Sequence, residues 1–99
     1  MIIVAGEFRI PEEKLDAFLP AAQKVMAATR QETGCLLYTF AFDLDVAGLV
    51  RVFEKWESRE ALAAHFKTAH MAEWRQALSA IGATGRSVKA YAADDGEPL

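Results

Sequence analysis

The chain opens on Ile2-Ile3-Val4 and stays rich in Ile, Val and Phe up to Ile10, where Pro11 closes the run. That pattern predicts a strand leading into a helix with proline in its first turn. From Glu12 to about Glu32 the apolar spacing becomes helical. Leu15, Phe18, Leu19, Ala22, Val25, Met26 and Thr29 share one face, leaving Glu13, Asp16, Gln23, Lys24 and Arg30 for water. Pro20 inside that stretch predicts a kink, and Gly34 a stop. Two further strands, Cys35 to Phe42 and Leu49 to Trp56, flank a segment whose Asp and Gly residues suit a hairpin, so they are expected to pair antiparallel. Ser58 is the expected N-cap of a second helical stretch running to about Ile81, with Thr68 as its point of interruption and Gly82 and Gly85 at its end. Arg86 to Ala93 reads as a last short strand, and Asp94 to Leu99 as a loose acidic tail outside a single domain at 1–93.

The order β-α-β-β-α-β is that of a ferredoxin-like sandwich, an α+β fold whose antiparallel sheet carries its helices on one face. A sheet with one solvated face alternates apolar and polar residues along each strand. Cys35-Leu36-Leu37-Tyr38-Thr39-Phe40-Ala41-Phe42 is instead apolar on both parities. Its second face needs a cover, and a second copy of the chain is the simplest one, giving a sheet-to-sheet homodimer.

Composition narrows the partners. With 53% hydrophobic and 25% charged residues, 99 residues make one globular domain. A net charge of −3 with no basic run argues against nucleic acid or an acidic membrane surface as partner. The lone Cys35 can form no internal disulfide, so a cytoplasmic location is expected. The N-terminus lacks the pattern of a secretion signal, and no apolar stretch approaches the roughly 20 residues that cross a bilayer.

Three segments carry a resemblance: Glu32-Thr33-Gly34-Cys35-Leu36-Leu37-Tyr38, Glu54-Lys55-Trp56-Glu57-Ser58, and Ala64-His65-Phe66-Lys67-Thr68-Ala69-His70. In this order they resemble the antibiotic biosynthesis monooxygenase superfamily, and are most similar to its bacterial quinol monooxygenase branch. The resemblance implies a dimeric α/β barrel and oxygenation of a small aromatic quinol or polyketide-like ring by dioxygen, without metal or flavin cofactor. Haem-degrading relatives use an asparagine on the first strand. Val4 to Ile10 has none, and His65 falls near the place of their tryptophan, which argues against haem breakdown.

Such chemistry asks for a dry cavity, a base and a hold on the ring, because the substrate itself supplies the electrons. His65 and His70 are the two histidines and the first candidates for the base. His70 shares a helical stripe with Trp74, Leu78 and Ile81, so it is expected among apolar neighbours. Glu54 has the strand parity of Val50, Val52 and Trp56, which turns it inward, where desolvation raises a carboxyl pKa. The plainer alternatives are a structural histidine and a structural ion pair. Arg51, on the other parity, is a candidate for steadying an anionic substrate. Tyr38, Phe40, Trp56, Phe66 and Trp74 are candidate pocket walls, Tyr38 and Trp56 foremost because each adds a polar handle. Cys35 reads as a small core residue rather than a nucleophile. No metal site is readable, since two histidines five apart lack a matching acid or thiol. Besides the oxygenase, two other functions fit: a cofactor-free isomerase of a small polar molecule, and a non-catalytic dimer that binds a hydrophobic metabolite.

Overall fold

The computed structural model describes residues 1–99. Strand β1 (Ile2–Arg9) leads through a 3-10 turn (Glu12–Lys14) into helix α1 (Leu15–Thr29). Strands β2 (Cys35–Phe42) and β3 (Leu49–Trp56) follow, then helices α2 (Arg59–Phe66) and α3 (Ala69–Ile81), then strand β4 (Thr84–Ala92). The sheet order is β2-β3-β1-β4 with every neighbouring pair antiparallel, which is the ferredoxin-like α+β arrangement. No helix is long and apolar enough to cross a membrane.

Strand parity decides what the helices cover. Ile2, Val4 and Phe8 of β1 and Val50, Val52, Glu54 and Trp56 of β3 are buried on the helix side, while Arg51 and Phe53 face outward. Two apolar clusters result. One gathers Phe8, Phe18, Val25, Val52 and Trp74; the other gathers Ile2, Val4, Tyr38, Trp56 and Leu62. Each large side chain so buried contributes on the order of 1.5–3 kcal/mol. An exposed ion pair such as Lys24 with Glu73 contributes less than about 1 kcal/mol, so the clusters hold the fold.

Several sequence expectations need adjustment. Helix α1 ends at Thr29, three residues earlier than expected, in a tightened turn in which the Glu32 N–H donates to the Thr29 carbonyl. Pro20 sits inside α1 at an exposed position, where water can take the carbonyl that proline leaves unpaired. Leu19 is 43% exposed beside Phe42, so the apolar stripe of α1 is wider than the core it covers. Thr68 divides the second helical stretch in two: its hydroxyl donates to the His65 carbonyl and accepts from the Met71 N–H. Gly82, at φ +87°, ends α3 by itself, and Gly85 belongs to β4.

Gly34 is a point of close approach rather than a helix stop. Its φ is +86°, and a Cβ placed there would meet the Ala61 Cβ at 2.6 Å. The absent side chain lets the turn after α1 lie directly on α2. Gly34→Ala should therefore cost about 1–3 kcal/mol, through positive-φ strain and crowding together. Denaturant unfolding measures it; a loss under about 0.5 kcal/mol would mean the turn is free to shift.

On the outer face of the sheet, Phe53 is 37% and Leu37 is 38% exposed. The greasy second parity of β2 thus lies open in the single chain.

Candidate active site

A cavity of about 350 Å³ lies between the sheet and helices α2 and α3, with 12 hydrophobic residues among the 16 that line it. Val4, Phe8 and Val52 form its floor on the sheet, and Val88 and Ala90 continue that floor onto β4. Leu62, Phe66, Met71 and Trp74 close it from the helices. Tyr38 and Phe40 stand side by side at one wall with ring centres 5.3 Å apart, and Phe40 stacks on Trp74 at 5.3 Å and 15°. Flat aromatic faces thus bound a space of the size that takes a small ring system.

Two acid–base groups reach this apolar space. Glu54 points inward from β3 and accepts a hydrogen bond from the Trp56 indole Nε1 at 2.9 Å. Burial pushes its carboxyl up from 4.5 to about 7, against the pull of the indole N–H and of the Arg86 guanidinium. The site therefore holds a carboxylic acid that exchanges its proton near neutrality.

The second group is His65, in the last turn of α2 and wholly buried. Its Nδ1 lies 2.7 Å from Oε2 of Glu32, so the ring proton sits on Nδ1 and donates to the carboxylate. Its other nitrogen, Nε2, is buried without a hydrogen-bond partner. Burial pulls the His65 pKa down, opposed by the Glu32 carboxylate, and so favours the neutral ring. His65 borders the cavity, and Nε2 is the lone pair it has left to offer a ligand. The same Glu32 Oε2 takes a second contact of 2.7 Å, from Nε2 of His70 in the first turn of α3. The Glu32 backbone is fixed within its own turn, its N–H donating to the Thr29 carbonyl and its carbonyl accepting from the Cys35 N–H.

The structure sorts the sequence candidates. His65, Glu54, Tyr38, Phe40, Phe66 and Trp74 all line the cavity. His70 does not, because its ring turns to Glu32 rather than along the apolar stripe. Trp56 is fully buried behind Glu54 and serves as its hydrogen-bond donor instead of a wall. Arg51 lies on the outer face, paired with Glu7 and Asp43, and cannot steady a ligand in the cavity. The cations at the cavity are Arg86 and Lys89 of β4, which sequence reasoning missed. Glu32 was also missed, although it opens the Glu-x-Gly-Cys segment; it is the acid that the histidine pair lacked. Burial and the Glu32 and Glu54 carboxylates push the Cys35 thiol up, which fits a packing residue.

Residues 1–77 match the family model described as antibiotic biosynthesis monooxygenase. An uncharacterized Synechocystis protein is 30% identical over 90 residues, which are 91% of this chain and 61% of that relative's length. A Deinococcus radiodurans crystal structure, described as a candidate antibiotic biosynthesis monooxygenase, superposes with a TM-score of 0.93 at 27% identity, covering 100% of this chain and 98% of its own. A Mycobacterium tuberculosis structure matches at TM-score 0.84 and 24% identity, over 98% of each chain, and speaks for the fold alone.

Proposed function

The chain belongs to the antibiotic biosynthesis monooxygenase family, and from that premise we propose that it oxygenates a small aromatic quinol or polyketide-like ring with dioxygen. The observation that carries this reading is the buried His65, which lines a cavity walled by aromatic rings and has an Nε2 without a hydrogen-bond partner. His65 Nε2 takes the phenolic proton, and Glu32, hydrogen-bonded to Nδ1, fixes the tautomer and steadies the imidazolium that forms. The ring anion passes one electron to dioxygen, and the two radicals combine into a ring peroxide. The His65 imidazolium returns its proton to the peroxide anion, and Glu54 gives a second proton to the outer oxygen as the O–O bond breaks. The ring carbon that bore the peroxide loses its C–H hydrogen as a proton to the Glu54 carboxylate, leaving a carbonyl. One oxygen atom stays on the ring and the other leaves as water, with the ring supplying the four electrons. The apolar walls keep bulk water from the reactive intermediates.

Oxygen uptake with a panel of reduced quinones, corrected for autoxidation without protein, tests the reading. Saturable uptake above that background is the expected result. Saturable binding with no uptake would mark a binding module instead.

The open outer face of β2 and β3 supports a homodimer packed sheet to sheet, with Phe53 and Leu37 in the contact. Light scattering should give twice the chain mass, and Phe53→Glu should shift the protein toward monomer. A wild-type monomer at working concentration would remove the dimer from the proposal.

A further inference from the structure

Glu32, His65 and His70 come from three separate places: the turn after α1, the last turn of α2 and the first turn of α3. Each offers one ligating atom, and these atoms all lie within 4.8 Å of one another. Two imidazole nitrogens and a carboxylate oxygen are the donors of three-ligand zinc and iron(II) sites, whereas calcium and magnesium take oxygen alone. We propose that these three residues form a site for one divalent transition-metal ion of zinc type, separate from the cavity and connected to it through the His65 ring.

The geometry sits close to what such an ion needs. Both nitrogens are 2.7 Å from the same Glu32 oxygen. A tetrahedral zinc, with ligands at about 2.0–2.1 Å, spaces its donors about 3.3 Å apart, so the two contacts to Glu32 open slightly to admit it and the two nitrogens, within 4.8 Å of each other, adjust to the same spacing. Access exists from outside the core, because the His70 side chain is 22% exposed and that of Glu32 14%, which leaves water as the fourth ligand.

Occupation changes His65 itself. A neutral imidazole has one proton, and a metal on Nδ1 moves that proton to Nε2. The nitrogen serving the cavity then becomes a donor and has no lone pair with which to accept a proton. This consequence rests on the proposed role of His65 as base; the binding site does not.

The test is titration of EDTA-treated protein with Co2+, read by the visible absorption of tetrahedral cobalt, followed by displacement with Zn2+. One equivalent per chain is expected, with affinity reduced more than about 100-fold in both His70→Ala and Glu32→Gln, and unchanged in Glu73→Gln on the neighbouring surface. Circular dichroism confirms that each variant folds, and His70→Gln replaces His70→Ala if that variant does not. Absence of saturable Co2+ binding, or equal binding by wild type and both ligand variants, overturns the site. Zn2+ should also stop oxygen uptake reversibly, with EDTA restoring it. Binding without inhibition overturns the coupling to His65 and leaves the site standing, and a protein that turns over no quinol at all still returns the Co2+ result.

Discussion

At pH 8, Glu54→Gln should be more stable than the wild type by about 3 kcal/mol, and the difference should vanish near pH 4. The folded state holds the Glu54 proton up to about 7, while a free carboxyl loses it near 4.5. Between those values the native state binds more protons than the unfolded one, so stability falls as pH rises through the window. Below 4.5 the cost is absent; above 7 it is complete. At 1.36 kcal/mol for each pH unit, the interval from 4.5 to about 7 gives about 3 kcal/mol. Glutamine carries no charge and keeps an oxygen to accept from the Trp56 indole. For a domain of this size the melting temperature at pH 8 should rise on the order of 15 °C. Melts at one protein concentration across pH 4 to 8 decide it, because a dimer makes melting depend on concentration. A gap that stays constant with pH would show that folding leaves the Glu54 carboxyl at its ordinary pKa.

His65→Ala should lower kcat for oxygen uptake about 10²- to 10⁴-fold, with KM changed far less. The ring is removed from a fully buried position, so a melt must show that the variant is folded. Free imidazole, small enough for the space vacated, should restore part of the rate. Packing alone does not predict such a rescue. Glu32→Gln should have the smaller effect, because it keeps the ring and loses its orientation and the charge that stabilises the imidazolium. Uptake at the wild-type rate in His65→Ala would remove the histidine from the mechanism.

The inward carboxyl was legible because Glu54 alternates in step with Val50, Val52 and Trp56, and burial on one face leaves a strand no choice of register. By the same rule Arg51 had to face outward, so its assignment to the ligand contradicted its own parity. Trp56 shares a face with Glu54 two residues away, yet sequence gives no distance between side chains and could not separate a wall from a donor. Arg86 was hidden for another reason. Thr84-Gly85-Arg86-Ser87-Val88 has too few apolar residues to show which side faces in, and Arg86 lies in the register shift between the Glu7–Ser87 and Arg9–Thr84 pairs, where strand alternation breaks. The cluster joins Glu32 to two histidines more than thirty residues further along the chain, a distance that no local pattern reports.

The break at Thr68 explains why the two histidines meet at all. An uninterrupted helix turns about 100° per residue, so positions 65 and 70 would project about 140° apart, toward nearly opposite sides of the axis. By ending one helix and starting the next, the Thr68 hydroxyl resets the angular phase and lets both rings converge on a single oxygen. A side chain with no chemistry of its own thereby acts as the hinge pin of the cluster. Straightening that corner would scatter the pair without altering either imidazole.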